Sequence, residues 1–316
     1  MLTEPSINQL SVKTKLEEEY GLKLAKLTFI PKGECSWGYI LEDENKQKSF
    51  LKIYPNLSVP ETAFILTNDL FEKAGIKNII HTYKTKTGGV RVRIDTFQMA
   101  LFNYVYGKDG NEQPLTDAHL QQLGKLLKRI HQANSRVGEY PIREDFSIPK
   151  KDDFIQIISD FGRLPMEIGK EARELRDFII LHKLELFEEY KKLEESRSKL
   201  LGLNLPFVTC HGDPTPGNIR VGVDGEIYLI DWDDPIFAPK EKDLFFFADP
   251  KYQSVLASYE EAGNLEINQE VVDFYRHKWN ITEIIDYGNR FLYSNMSEVQ
   301  KRHDLEELRK TLKEMR

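Results

Sequence analysis

The chain has 316 residues, 40% hydrophobic and 30% charged, enough for a sizeable core in one large domain or two lobes. Its 44 basic and 51 acidic residues give a net charge of −7, which argues against a dedicated nucleic-acid binder and suits a cationic small-molecule partner. Cys35 and Cys210 are too few for a disulfide framework, MLTEPSINQL is no signal peptide and no apolar run could span a membrane, so a cytoplasmic protein is expected. An amphipathic helix is predicted around residues 7 to 20, ended by Gly21. The segments LKLAKLTFI, SWGYILED and KSFLKIY follow as strands. Pro60 opens a helix over PETAFILTNDLFEKAG that stops at Gly75. GGVRVRID and FQMALFNYVYG complete a small antiparallel sheet with one inserted helix.

The character changes at Gly107. GKDGNEQPLT is a polar connector rich in turn formers, and a boundary is placed there: 1–106 as an N-terminal lobe, 107–316 as a mainly helical C-terminal lobe. Helices are predicted over 116 to 134, with Thr116 as N-cap, over a charged amphipathic stretch from 166 to about 200, and again from 241 onward. Between them, residues 206 to 231 carry β signal.

That interruption holds the chemistry. In HGDPTPGN, Gly212, Pro214, Pro216 and Gly217 exclude a helix and make a loop able to aim Asp213 and Asn218 at one point. NIRVGVDGEIYLID is then a hairpin turning at Asp224-Gly225, and its two ends, Asn218 and Asp231, become neighbours. An amide oxygen beside a carboxylate is a hard-oxygen pair suited to Mg²⁺. Asp213, off the metal, is placed to orient a hydroxyl and accept its proton. Phosphoryl transfer needs this division of labour, because it relies on positioning and charge neutralisation.

The stretch resembles the catalytic segment of the protein-kinase-like fold, in the version used by the aminoglycoside phosphotransferase family. Where protein kinases carry H-R-D-x-x-x-x-N and then D-F-G, this chain has H-G-D-P-T-P-G-N and then I-D-W-D. The resemblance implies an α+β, bilobal fold with ATP and Mg²⁺ as cofactors, GTP remaining open. It implies Asp213 as catalytic base, Asn218 and Asp231 as metal ligands, and His211 as a support beneath the loop. Asp243 resembles the aspartate that opens the next helix and buttresses that loop.

The same resemblance extends through the N-terminal lobe. SFLKIY resembles the strand whose lysine pairs with ATP phosphates, here Lys52. Its apolar neighbours bury it, and a buried cation needs a partner. Glu61 is the candidate, with Asp69 and Glu72 on the same helix as alternatives. FNYVYG resembles the hinge, implying adenine contacts from the Asn103 carbonyl and the Val105 amide, with Phe102 behind. IPKGECSWGYI stands at the phosphate-covering loop, with Ser36 in place of a glycine-rich pattern. Arg220 departs from the family, which carries an aliphatic floor for the adenine pocket there. A one-residue shift would make Ile219 or Val221 that floor.

The run IDWDDPIFAPKEKDL and the C-terminal FYRHKWNITEIIDYG are similar to the spectinomycin phosphotransferase branch. Asp233 and Asp234 are therefore candidates for binding the acceptor. Trp279, Glu283 and Tyr287 share one helix face, with Asp286 beside it, as an acidic and aromatic wall for a cationic sugar. The expected activity is phosphorylation of a hydroxyl on an aminocyclitol or aminoglycoside such as spectinomycin. A metabolite kinase acting on choline, homoserine, a thioribose or a fructosamine is the alternative, since the fold hosts all of these. A pseudokinase that binds nucleotide without turnover is a second.

Overall fold

The computed structural model of the chain describes residues 3–33, 35–55, 59–133, 142–165, 169–260 and 266–315. Two compact units emerge: Met1–Glu144 with Pro206–Glu266, and Asp145–Leu205 with Ile267–Arg316. The N-terminal region is sheet-rich and the C-terminal region helical.

In the first unit, helix α1 (Gln9–Tyr20) begins where the Asn8 side chain accepts from the Leu10 and Ser11 N–H groups. It ends at Gly21, whose φ of 72° a side chain would disfavour. A five-stranded antiparallel sheet follows, ordered β1-β2-β3-β5-β4, from Leu24–Ile30, Trp37–Asp43, Lys48–Tyr54, Val92–Ile94 and Phe97–Asn103. The two-residue side-chain period of β3 splits its residues between two cores. Leu51 and Ile53 pack with Val12 and Leu16 of α1. On the opposite face lies Tyr54, in the core that also contains Phe64, Leu66 and Leu70 of helix α2 (Glu61–Glu72). Lys52 therefore faces away from α1. Its cross-strand neighbours are Gly38 and Ala100, whose small side chains leave room for a long cation.

The connector after the hinge holds a strand the sequence pattern does not announce. Strand β6 (Gly107–Asp109) pairs with β9 (Ile219–Gly222), which pairs in turn with β10 (Ile227–Leu229). Three polar or small residues carry no alternation to read, so only the tertiary pairing defines this strand. Helix α3 (Asp117–His131) starts with Thr116 and His119 capping one another's backbone N–H groups. The predicted end of this helix, Asn134, lies outside the described residues. Gly124 is needed here: a Cβ would come within 2.2 Å of the Val255 carbonyl on helix α8 (Gln253–Glu260). A third sheet joins β7 (Ile142–Arg143), β11 (Ile236–Pro239) and β8 (Phe207–Cys210), and the short helix α7 (Glu241–Leu244) follows β11.

The second unit consists of helices α4 (Lys151–Gly162), α5 (Lys170–Leu181), α6 (Lys183–Leu200), α9 (Gln269–Tyr293) and α10 (Glu298–Glu314). The stretch predicted from 166 to about 200 is thus two helices, and residues 166–168 lie outside the described ones. The break falls at His182, with φ −103° and ψ 16°, and no Gly or Pro marks it. Helix α9 is central, burying Val271, Phe274, Ile281 and Ile284, each such side chain contributing about 1.5–3 kcal/mol. Among the described residues, no helix is long and apolar enough to cross a membrane.

Candidate active site

The loop after β8 is built on Asp243. This side chain is fully buried, and its carboxylate accepts from the backbone N–H groups of His211 at 2.9 Å and Gly212 at 2.8 Å. His131 Nε2 adds a third bond at 3.0 Å, and Tyr259 bonds the other ring nitrogen at 2.8 Å. Burial alone would raise the Asp243 pKa; the bonds from His131 and the backbone outweigh it, and the carboxyl sits below its ordinary value. Gly212 has a φ of 94°, and a Cβ there would approach the Asp234 carbonyl to 2.4 Å. His211 accepts from the Asp213 N–H through Nδ1 at 3.2 Å and donates from Nε2 to the Ile230 carbonyl at 2.9 Å. Its ring stands edge-on to Trp232, with centroids 4.6 Å apart. Both nitrogens are engaged within the loop, so His211 orients it.

Asn218 closes the turn Pro216–Asn218, its N–H donating to the Thr215 carbonyl. Its Nδ2 donates to the Asp213 carbonyl at 2.9 Å and to Asp213 Oδ2 at 2.8 Å, leaving the amide oxygen as the acceptor. Asp213 Oδ1 is buried and meets no hydrogen-bond partner among the described residues. A buried carboxylate oxygen without a donor is costly unless a ligand supplies one. Burial raises the Asp213 pKa and the charge of Asp231 adds to this, against the opposing influence of His211.

The β9–β10 hairpin pairs Ile219 with Leu229, and the Ile230 N–H donates to the Asn218 carbonyl at 2.9 Å. Asp231 comes next, and its φ of 63° is a left-handed conformation that costs a non-glycine residue about 1 kcal/mol or more. The carboxylate is thereby directed at Lys52, whose Nζ lies 2.6 Å from Asp231 Oδ1 and 2.6 Å from Asp233 Oδ2. Tyr54 donates to the second Asp233 oxygen at 2.9 Å. Burial pulls the Lys52 pKa down, but the charges of Asp231 and Asp233 more than reverse this. The two acids divide the benefit. Asp231 is held below its ordinary value by Lys52 despite burial. Asp233 is pushed up to about 6 by burial and by Asp231. Asp234, beside them, is raised by desolvation of its carboxyl within the loop and by the charge of the same neighbour.

Glu61, expected as the partner of Lys52, takes another role. Its carboxylate pairs with Arg91 at 3.1 Å, Glu72 pairs with Lys84 at 3.0 Å and Asp69 with Lys73 at 2.7 Å. All three alternatives on α2 are engaged elsewhere, because Asp231 and Asp233 reach Lys52 first. Asp233, expected at the acceptor, is held by Lys52 and Tyr54. Ser36 is buried just before β2. Nearby, Lys32 reaches Asp109 at 3.2 Å and Glu112 at 2.6 Å, a link that sequence spacing does not disclose.

At the hinge, Phe102 is buried against Phe64, and the Asn103 side chain accepts from the His81 N–H at 2.7 Å. Arg220 does not lie across a pocket floor. Its Nε donates to the Val105 carbonyl at 2.7 Å and its Nη2 to the Gly107 carbonyl at 2.5 Å. Ile219 and Val221, on either side, belong to the buried core.

The helix residues proposed for the acceptor lie on α9, in the second unit. Trp279 and Glu283 are half-buried and Asp286 is exposed. Tyr287 is buried, with the Arg290 guanidinium 4.5 Å from its ring, which makes it part of the helix packing. His131 and Tyr54 were not singled out in the sequence. Their partners are distant along the chain, and no local pattern points to them.

Asp213 held by Asn218, and Asp231 held by Lys52 of the strand, are the residue types that phosphoryl transfer uses for positioning and charge neutralisation. Residues 26–262 match the model of the phosphotransferase enzyme family, and the chain belongs to that family. It is accordingly a phosphotransferase with an alcohol group as acceptor. Protein StrN of Streptomyces griseus is 24% identical over 282 residues, covering 85% of this chain and 81% of StrN. A spectinomycin phosphotransferase, APH(9)-Ia, solved with ADP and spectinomycin, is similar at a TM-score of 0.81 and 22% identity over 98% of both chains. An amicoumacin kinase, hAmiN, solved with AMP-PNP and Ca²⁺, has a TM-score of 0.64 at 16% identity, covering 98% of this chain and 93% of its own. The fold is the kinase-like α+β fold of these enzymes.

Proposed function

We propose that the protein transfers the γ-phosphate of ATP, with Mg²⁺, to a hydroxyl of an aminocyclitol or aminoglycoside such as spectinomycin. One observation carries the proposal: Asp213 Oδ1 is buried with no hydrogen-bond partner among the described residues while Oδ2 is fixed by Asn218. That oxygen orients the acceptor hydroxyl and takes its proton, a role that contributes about 10²–10⁴-fold. Burial raises the Asp213 pKa, which makes it a better base than an ordinary aspartate.

The donor set fits a hard divalent cation, since the Asn218 amide oxygen and the Asp231 carboxylate are both oxygen ligands. A bound magnesium nucleotide would supply the phosphoryl group and neutralise its charge. Lys52 holds Asp231 and Asp233 together and offers its ammonium to phosphate oxygens. In this reading the base lies along the hinge, against the main chain of Asn103 and Val105.

Spectinomycin is favoured as acceptor by the fold likeness to its phosphotransferase over 98% of both chains. The test is phosphate transfer from labelled ATP to spectinomycin, several aminoglycosides, choline, homoserine and methylthioribose. If a metabolite exceeds spectinomycin in kcat/KM by more than about tenfold, some 1.4 kcal/mol of transition-state preference, the antibiotic assignment fails and the kinase assignment survives. Transfer to none of them, with nucleotide still bound, would favour a binding protein without turnover.

A further inference from the structure

We propose that Arg220 makes the hinge select adenine over guanine, by placing a cationic donor on the main-chain acceptor that the donors of a guanine base would meet. This rests on the nucleotide reading above and adds the residue that sets base specificity.

The hinge carbonyls are occupied in sequence. The Val105 oxygen accepts from Arg220 Nε at 2.7 Å, the Tyr106 oxygen from the Val223 N–H at 2.9 Å and the Gly107 oxygen from Arg220 Nη2 at 2.5 Å. The Val105 N–H, by contrast, donates to no described residue. The guanidinium is not free to swing aside. It bridges two carbonyls, stands 5.8 Å from the centre of the Tyr104 ring, and Arg220 is paired in register with Asp109. Tyr104 is in turn braced edge-on by Tyr106, at 4.9 Å.

The two bases differ in what they ask of such a hinge. The adenine edge offers one acceptor, N1, beside one donor group, the N6 amine. Guanine offers one acceptor, O6, followed by two adjacent donors, N1–H and the N2 amine. Either acceptor can receive the open Val105 N–H. Adenine then turns its amine toward the Asn103 side of the hinge. Guanine instead turns its donors toward the Val105 oxygen, where a cationic donor already sits. Guanine's donors would have to share that oxygen's remaining lone pair beside a cation already bonded to it, and such a crowded, like-polarity contact weakens binding on the order of ten- to a hundredfold.

The experiment is calorimetric titration of the whole protein with AMP-PNP and with GMP-PNP in the presence of Mg²⁺, for the wild type, R220M and R220Q. The wild type is expected to bind AMP-PNP at least about tenfold more tightly than GMP-PNP. R220M should cut that ratio severalfold, mainly by gaining GMP-PNP affinity. R220Q, which keeps a neutral donor for only one carbonyl, should fall between them and serves as the deciding variant if R220M does not fold. A wild-type ratio near one overturns the proposal. So does a loss of affinity shared equally by both nucleotides in the variants, which would mean that Arg220 only stiffens the hinge. Failure of the wild type to bind either nucleotide would instead overturn the reading of the site, and base selection with it.

Discussion

Lys52 and Asp231 are 179 residues apart in the chain, and their side chains meet at 2.6 Å across the site. The ammonium also contacts Asp233, so it holds two carboxylates together that would otherwise repel each other. K52A should leave these acids facing one another and lower stability by about 1–3 kcal/mol at pH 7.5. This is less than for a wholly buried pair, because the Asp231 side chain is 44% exposed. The sign of the pH effect follows from Asp233, raised to about 6 by burial and by Asp231. A raised carboxylate disfavours folding above its folded pKa, and that penalty fades as it protonates. The gap between K52A and wild type should therefore narrow as pH falls through 6, and millimolar Mg²⁺ should narrow it at pH 7.5. Urea titrations at several pH values would check both; a gap that widens on acidification contradicts the pairing.

The Glu61 carboxylate is engaged by Arg91 at the start of α2 and has no share in holding Lys52. E61Q should leave the transfer rate within about threefold of wild type, since exposed ion pairs contribute only ~0.2–1 kcal/mol. A hundredfold loss in steady-state rate would show that Glu61 moves to Lys52 during turnover.

Asp213 is the group whose loss should separate chemistry from binding. D213N is expected to reduce kcat about 10²–10⁴-fold. Nucleotide affinity should remain, because no proposed nucleotide contact involves Asp213. Its pKa is raised, so the base protonates at a higher pH than an ordinary aspartate, and kcat/KM should fall on the acid side earlier than 3.8 would dictate. A profile flat down to pH 4, or a D213N kcat within threefold of wild type, removes Asp213 from the mechanism.

Asp231 holds Lys52 and is the proposed metal ligand, so D231A should weaken both nucleotide affinity and turnover. The Mg²⁺ concentration giving half-maximal rate should rise by an order of magnitude, as expected for the loss of one oxygen ligand. An unchanged Mg²⁺ dependence would place the cation elsewhere.

Asp243 accepts from two loop amides and His131 while fully buried. D243A leaves those donors without a partner, each such loss costing about 1–3 kcal/mol. The variant should be strongly destabilised in chemical denaturation, and D243N, which keeps an acceptor oxygen, less so. Equal stability of wild type and D243A would contradict the buttressing role.

What the sequence determined by itself is the chemistry that is local in the chain. Residues 211 to 231 contain a Pro/Gly-constrained loop and a hairpin with an Asp-Gly turn, so backbone geometry alone brings Asn218 beside Asp231. The strands and helices of the N-terminal region were legible for a similar reason, since period-two alternation and the Pro60 and Gly21 punctuation are short-range signals. Tertiary structure decided which long side chains meet. Lys52 chose Asp231 and Asp233 over Glu61, Arg220 crossed 115 residues to the Val105 carbonyl, and His131 crossed 112 to Asp243. Periodicity reports which face of an element is buried. It carries no information on which partner on a distant strand satisfies a buried charge, because that depends on packing distance and on competition among several acceptors. Likewise β6 exists only through its pairing with β9, since three residues without alternation have no pattern of their own.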